Sequence, residues 1–296
     1  MRKSRRVPVP CELLLVEKQF RDTPLLAVSL SNSDLDAYLS RVNYSGSRAP
    51  TLELLNTLTF LHSTSIPFEN LDVLRGQTIS LEPEALVDKL IRRRRGGYCF
   101  EQNGLFLLVL QSLGFDVRPL SARARLQHAR DFTPPRTHLF VDVKHGGIHY
   151  VTDVGVGAAS LTSALRLELN TEQPTPHDVR RVVFQDGRYF HQIRYGQQWN
   201  DVCEFTLEEM PLIDREVGNW YTSTHPKSHF KSRLMVAMAR ADSRRVTIVD
   251  DEFGERLADG SSRHLRLKSQ SDLLRVLREC FGLDFPDDTR FKVQNA

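Results

Sequence analysis

The sequence predicts an α+β protein, and three observations carry that prediction. Residues 33–113 place apolar side chains at helical spacing, residues 117–205 form short alternating runs separated by turn residues, and the last third mixes the two patterns. Helices in one block and antiparallel strands in the next are the order of an α+β chain; a doubly wound sheet would alternate them. The 296 residues are enough for two domains, or three small ones. An apolar share of 40% with 26% charged residues suits a globular protein with a sizeable core.

The helices follow in order. Ser33 is placed to cap "DLDAYLSRV" and Thr51 to cap "LELLNTLTFLHS", whose Leu54, Leu55, Leu58 and Leu61 form one stripe. Pro67 ends that unit. "LEPEALVDKLIRRR" reads as a third helix with Leu86, Leu90 and Ile91 inward. Its arginines fall in the last turn, where they complement the helix dipole, and Gly96 and Gly97 stop it. A fourth helix runs from about Cys99 to Leu113 and closes at Gly114. Its "LFLLVL" is apolar on every side, so it should be deeply buried.

Strands come next. "THLFVDV" and "IHYVTDV" flank "KHGG", and "RRVVFQ" and "RYFHQIR" flank Asp186-Gly187, a strong hairpin signal. Further on, "RRVTIVD" reads as a strand. "DLLRVLRECFG" reads as an amphipathic helix capped by Ser271 and stopped by Gly282.

Several function classes are disfavoured. A net charge of +3, from 40 Lys+Arg against 37 Asp+Glu, is too balanced for a dedicated nucleic-acid binder. The run Arg92–Arg95 has no aromatic-interleaved basic surface around it. The four cysteines are far apart, without CxxC spacing, so neither a metal site nor a disulfide scaffold is expected. No apolar run approaches the roughly 18 residues of a membrane span. The basic N-terminus is interrupted by Pro8, Pro10, Glu12 and Glu17, so it reads as an extension and not a signal peptide. Reduced thiols in a cytoplasmic setting are the expectation.

Chemistry centres on Cys99. A thiol just past Gly-Gly, at the start of a helix, meets unpaired backbone N–H groups and the positive end of the dipole. Both favour the thiolate, and the same N–H groups could stabilise an oxyanion. A small buried hydrophobe would sit equally well there, so position alone leaves both readings open.

The hairpin tips the balance. With His145-Gly146 as a two-residue loop, Lys144 pairs with Gly147 and His138 falls directly opposite Asp153, Cβ atoms about 4.5–5.5 Å apart. Centring the loop on Gly146-Gly147 instead pairs His138 with Gly155, so the inference depends on register. A histidine to take the thiol proton and an aspartate to orient it are what a cysteine nucleophile needs. His145 and His149 read as solvated turn residues. His62, His128, His177, His191 and His264 show no evident partners. Cys203 and Cys280 read as core, and Cys11 lies in the extension.

At this point the chain resembles the arylamine N-acetyltransferases. "RRGGYCFEQNGLF" at 94–106, "THLFVDV" at 137–143, "VTDVGVGA" at 151–158, "IPFENLDV" at 66–73 and "NWYTSTHPKSHF" at 219–230 carry the resemblance, which covers roughly residues 33–280. It implies a helical bundle (31–116), an antiparallel β-barrel (117–222) and an α/β lid (223–296) behind an extension (1–30), with a cysteine-protease-like core. It implies a triad of Cys99, His138 and Asp153. The implied reaction is ping-pong: acetyl-CoA acetylates Cys99, CoA leaves, and an arylamine or hydrazine attacks. No metal or prosthetic group is implied, and xenobiotic metabolism is the implied setting.

The resemblance also suggests contacts. Phe68, Tyr98 and Val156 would line the acceptor pocket, with Val156 where many members carry Phe. Gly155, Gly157, Lys227, Ser228 and Phe230 would meet CoA. Arg95 would pair with Glu69 to hold the catalytic loop, leaving Arg92–Arg94 as a solvated helix end. The same triad also serves other acyl-CoA donors, amide synthesis and thiol hydrolysis, and these stand as the alternative.

Overall fold

The computed structural model describes residues 29–126, 128–257 and 260–291; the extension as far as residue 28, with Cys11, lies outside the described residues. Its first part holds α1 (Asn32–Arg41), α2 (Leu52–Ser65), α3 (Leu71–Leu74), α4 (Pro83–Val87) and α5 (Cys99–Ser112). Leu54, Leu55, Leu58, Leu86, Leu90 and Phe106 belong to the core shared by α1, α2, α4 and α5, while α3 buries Leu71 and Leu74 elsewhere. As expected, Thr51 caps α2, accepting from Leu54 N at 3.2 Å. The α1 cap is Ser31 and not Ser33: Ser31 Oγ accepts from Asp34 N at 3.1 Å. Likewise the last helix, α8 (Gln270–Phe281), is capped by Ser269 and not Ser271, with Gly282 at φ 66° closing it as expected.

The third helix is not continuous. α4 passes into a π turn over Asp88–Arg92, and the chain leaves it at Arg94 with φ 52°, before the two glycines expected to stop it. Leu86, Leu90 and Ile91 are buried as expected, but so is Lys89. π turns of this kind mark functional places more often than ordinary surface helix does.

A short strand β1 (Phe68–Glu69) sits inside the segment read as helical. It pairs antiparallel with β10 (Met235–Ala239) and so belongs to the second of two sheets. That sheet runs β1–β10–β11–β12–β13, with β11 (Arg245–Val249), β12 (Glu252–Arg256) and β13 (Ser262–Arg266). α8 buries Leu273, Leu274, Leu277 and Phe281 together with Val236, Val246 and Ile248 of this sheet.

The first sheet has eight antiparallel strands and nearly closes into a barrel. They are β2 (Asp116–Ala124), β3 (His138–His145), β4 (Ile148–Thr152), β5 (Leu165–Arg166), β6 (Gln173–Pro174), β7 (Val179–Gln185), β8 (Arg188–Tyr195) and β9 (Gln198–Glu209), in the order β5–β4–β3–β2–β9–β8–β7–β6. At the seam the Gln173 amide accepts from Arg166 N at 2.8 Å and donates to Arg166 O at 2.9 Å. The α+β class expected from the order of patterns is the class observed. Asp186 and Gly187, at φ 50° and 76°, turn β7 into β8 as their sequence signals.

The β3–β4 register corrects the expected pairing. His145 pairs with Ile148 and Val141 with Thr152, so the loop is Gly146-Gly147. Both glycines have positive φ, 58° and 78°. A type I′ turn needs two such residues, and His145 in one of them would be strained where Gly is not. The ladder is therefore shifted by two residues, and His145 ends a strand instead of lying in the turn. A shift of two, unlike a shift of one, leaves every side chain on its original face.

Between barrel and second sheet lie α6 (Leu212–Thr224) and α7 (His229–Ser232). α6 is inverted relative to ordinary helices: Gly218, Asn219 and Thr222 are buried while Ile213, Val217 and Trp220 are exposed.

Candidate active site

Cys99 is the first residue of α5, and the preceding loop is shaped to deliver it. Gly96 and Gly97 run beside β1: Glu69 N donates to Gly97 O at 3.0 Å. A Cβ on Gly96 would stand 1.9 Å from the Pro67 carbonyl oxygen, and one on Gly97 would stand 2.6 Å from Glu101 Oε2. These glycines are needed for close approach and not for helix termination. Glu101 closes the loop, its Oε2 accepting from Tyr98 N at 3.0 Å as in a capping box.

The thiol of Cys99 is buried and directed to the Thr137 carbonyl at 3.5 Å. Thr137 precedes His138, whose Nε2 is 2.7 Å from Asp153 Oδ2. Asp153 lies just past the end of β4, diagonal to His138 and on the same face, which is why the two-residue register shift keeps them together. Its other oxygen, Oδ1, accepts from Asn103 Nδ2 at 2.8 Å and Gly155 N at 3.0 Å.

Burial disfavours a charged His138, but Asp153 and the nearby Cys99 outweigh it and raise the imidazole from 6.5 to about 10. Burial pushes Asp153 up, but His138 and the Asn103 and Gly155 donors hold it below its ordinary value. An imidazolium beside a cysteine is thus the favoured state of this group at neutral pH.

Sequence reasoning missed the residues that brace this arrangement. Asn103 Nδ2 also donates to Leu139 O at 2.6 Å, and its Oδ1 accepts from Val154 N at 2.9 Å. Gln102 donates to Pro67 O at 2.7 Å and joins His62 Nε2 at 2.7 Å, while His62 Nδ1 meets Tyr38 OH at 3.1 Å. Burial lowers His62 to about 4, so it is neutral. A helix buried on all sides that opens with Glu101-Gln102-Asn103 was the available signal: those three could not reach water.

The expectation that several histidines lack partners is corrected. His62 has two; His177 meets Thr162 Oγ1 at 3.1 Å and Arg240 O at 2.8 Å; His191 meets Arg180 at 3.2 Å. His264 lies 2.8 Å from Glu252 and His149 lies 3.0 Å from Asp142. Cys203 is buried, and Cys280 is partly buried against α8's core.

Behind the loop sits a buried ion cluster. Arg95 Nη2 reaches Glu69 Oε1 at 2.6 Å and Asp72 Oδ1 at 3.0 Å. Lys89, turned inward by the π turn, reaches Glu101 at 2.6 Å and Asp72 at 3.0 Å. Phe285 stacks 4.6 Å from the Arg95 guanidinium carbon. Arg92 and Arg93, by contrast, are half-exposed and pair with surface acids.

The other expected contacts divide. Phe230 stands 5.3 Å from Tyr98 and 6.2 Å from Phe68, so these three rings form one aromatic wall, and Tyr98 and Phe230 pack in the Cys99 cluster. Val156 packs elsewhere, with Ala159, Ile193 and Val202, because the chain turns after Asp153. A Cβ on Gly155 would be 2.8 Å from Cys99 Cα, so its smallness serves packing against α5. Ser228 is committed as the α7 cap, accepting from Phe230 N at 3.3 Å and donating to Thr222 O at 2.6 Å. Lys227 is exposed, and Gly157 (φ 68°) abuts Phe68. A cleft of about 310 Å³, lined in part by Thr137, Met210, Gly218 and Tyr221, lies alongside.

Comparison with known proteins adds the rest. A family model described as N-acetyltransferase matches residues 51–290. An arylamine N-acetyltransferase of Mycobacterium tuberculosis is 41% identical over 258 residues, 86% of this chain and 90% of that protein. One from Escherichia coli is 35% identical over 253 residues, 86% of this chain and 90% of that protein. Among solved structures, the Salmonella typhimurium arylamine N-acetyltransferase superposes with a TM-score of 0.82 at 34% identity, covering 87% of this chain and 96% of that one. The Mycobacterium marinum enzyme in complex with CoA gives 0.81 at 38%, covering 84% and 92%. Identity at this level over most of both chains settles the assignment: the chain belongs to the arylamine N-acetyltransferase family and is an acyltransferase.

Proposed function

We propose that the protein acetylates arylamines and arylhydrazines from acetyl-CoA by a ping-pong reaction through an acetyl-Cys99 thioester. The observation that carries this reading is the buried Cys99–His138–Asp153 group, with His138 held to Asp153 at 2.7 Å and raised by both neighbours. In the first half, the Cys99 thiolate attacks the thioester carbonyl of the donor. The N–H groups at the very start of α5, ahead of the Glu101 N–H that already donates to Tyr98 O at 3.0 Å, would meet the oxyanion. The C–S bond to CoA breaks, and the departing thiolate takes the proton from the His138 imidazolium. One thioester replaces another, so this half is nearly balanced in free energy.

In the second half the acceptor nitrogen attacks the Cys99 thioester. Neutral His138 takes a proton from that nitrogen, Cys99 is released as the leaving group, and the imidazolium beside it is restored. An arylamine is largely unprotonated at neutral pH and attacks without prior deprotonation. Phe68 and Phe230, both partly exposed, offer its ring an aromatic wall, with the buried Tyr98 ring packed behind Phe230. Exposed Lys227, and the Arg136 side of the cleft, are cationic groups available to donor phosphates. Free thiols and a CoA donor fit a cytoplasmic setting and a role in xenobiotic metabolism.

Mass spectrometry of the protein mixed with acetyl-CoA alone tests this. An added mass of about 42 Da on Cys99, discharged by an arylamine, is expected. A protein that turns over the arylamine without that adduct, or a Cys99→Ala variant with undiminished turnover, sinks the proposal.

A further inference from the structure

Away from the thiol, three arginines converge on one carboxylate where the barrel meets the five-stranded sheet. Asp178, just before β7, accepts from Arg180 Nε and, at 3.0 Å, from Arg180 Nη2. It accepts from Arg245 Nη2 of β11 at 2.9 Å and stands 3.5 Å from Arg256 Nη2 of β12. Thr175 Oγ1 adds a bond at 3.1 Å. Asp178 is thus fully engaged, and three guanidiniums against one carboxylate leave an excess of positive charge. Neighbouring His177 and His191 do not add to it: burial and nearby arginines lower them to about 4 and about 3, so both are neutral.

Arg180 is fully buried, yet Ala159 O at 2.9 Å and His191 Nε2 at 3.2 Å complete its bonding. Arg245 is different. It is 2% exposed, and its Nε and Nη1 are buried without a hydrogen-bond partner. Buried donors left unmade are costly, and buried charge in excess costs more. One group answers both: an acceptor that also carries negative charge.

We propose that Arg245, with Arg256 opposite it in the β11–β12 ladder, binds a small inorganic anion of the halide class. Arg245 and Arg180 are enclosed, and only Arg256 reaches partly to solvent. Such depth suits a monatomic ion; the four oxygens of phosphate would require donors that Asp178 and Ala159 already occupy. The ion would join β11 and β12 to the Asp178 turn of the barrel, and through Arg180 to the segment following Asp153.

Thermal unfolding in sodium chloride and in sodium gluconate of equal ionic strength tests this. The chloride midpoint should be about 3–5 °C higher once the ion exceeds its Kd tenfold, and beyond that the increment should keep rising with the logarithm of chloride concentration. Arg245→Met should abolish the increment. A crystal grown in sodium bromide should show an anomalous peak within hydrogen-bond distance of Arg245 Nε or Nη1. Equal midpoints in the two salts, an increment that survives in Arg245→Met, an Arg245-dependent increment larger in phosphate than in chloride, or water alone at Arg245 in bromide overturns the proposal. If Arg245→Met fails to fold, the bromide peak decides.

Discussion

Asn103 donates to Asp153 Oδ1 at 2.8 Å and accepts from the adjoining Val154 N–H at 2.9 Å, so one amide holds both the carboxylate and the backbone that carries it. The same Nδ2 reaches Leu139 O at 2.6 Å. Asn103 is one turn beyond Cys99, so this single side chain ties the helix of the proposed nucleophile to the strand of the histidine and the loop of the aspartate.

Replacing Asn103 with Ala removes two donations and an acceptance at a buried place. Loss of stability of about 2–3 kcal/mol is expected from the groups left unpaired. A misplaced Asp153 should lower kcat/KM about a hundredfold. Asn103→Asp should be worse, because it sets a second carboxylate against Asp153. Steady-state kinetics and denaturant unfolding of both variants check this; Asn103→Asp at wild-type activity would refute it.

The ion cluster predicts opposite fates for neighbouring arginines. Arg95→Met leaves Glu69, Asp72 and Glu101 with Lys89 as their one buried cation, Arg75 touching Asp72 only from the half-exposed rim at 3.5 Å, and should cost roughly 3–5 kcal/mol. Half-exposed Arg92 pairs at the surface with partly buried Asp34 and exposed Glu84, and Arg92→Met should leave the unfolding midpoint unchanged. Equal midpoints for the two variants would remove the bracing role of Arg95.

That contrast shows what a sequence displays and what it hides. Cys99 at a helix start was legible because caps and glycines are local signals. His138 and Asp153 were legible through the parity of a hairpin, although the register was not: the turn chose two glycines with positive φ over His145-Gly146. Lys89, Asp72 and Asn103 were not legible, because polar residues committed to a buried network have the same letters as polar residues facing water. α6 was hidden for the converse reason, with Ile213 and Val217 outward and Asn219 inward. β1 is two residues long and exists through its pairing with β10, far along the chain, and its bridge to Gly97.

The raised His138 predicts a pH dependence with a definite sign. Its proton is held more tightly folded, at about 10, than at the ordinary 6.5, so its contribution to stability is complete below about 6.5 and disappears as pH rises through 10. Asp153 is depressed, so its contribution is present above 3.8 and is lost as pH falls through its folded value. The stability difference between wild type and Asp153→Asn should therefore shrink from pH 6.5 to pH 10. NMR of His138 should show an imidazolium at pH 8 in wild type and a neutral ring in Asp153→Asn. A neutral ring in the wild type at pH 8 would contradict the assignment.

Two glycines separate crowding from backbone strain. A Cβ at Gly155 would meet Cys99 Cα and Asn103 Nδ2, both at 2.8 Å, where neither backbone nor amide can yield without moving the thiol. Gly147 has nothing within 4 Å but a φ of 78°. Gly147→Ala should cost about 1 kcal/mol through its left-handed backbone and leave turnover intact. Gly155→Ala should instead lower turnover about a hundredfold, because a displacement near 1 Å at the reacting atom is enough for that. The acetyl-Cys99 burst separates the two effects: slowed acylation in folded Gly155→Ala, beside an unchanged burst in Gly147→Ala, is the expected pattern. An unchanged burst in Gly155→Ala would mean that Cys99 is not held in place by its contact with the loop after Asp153.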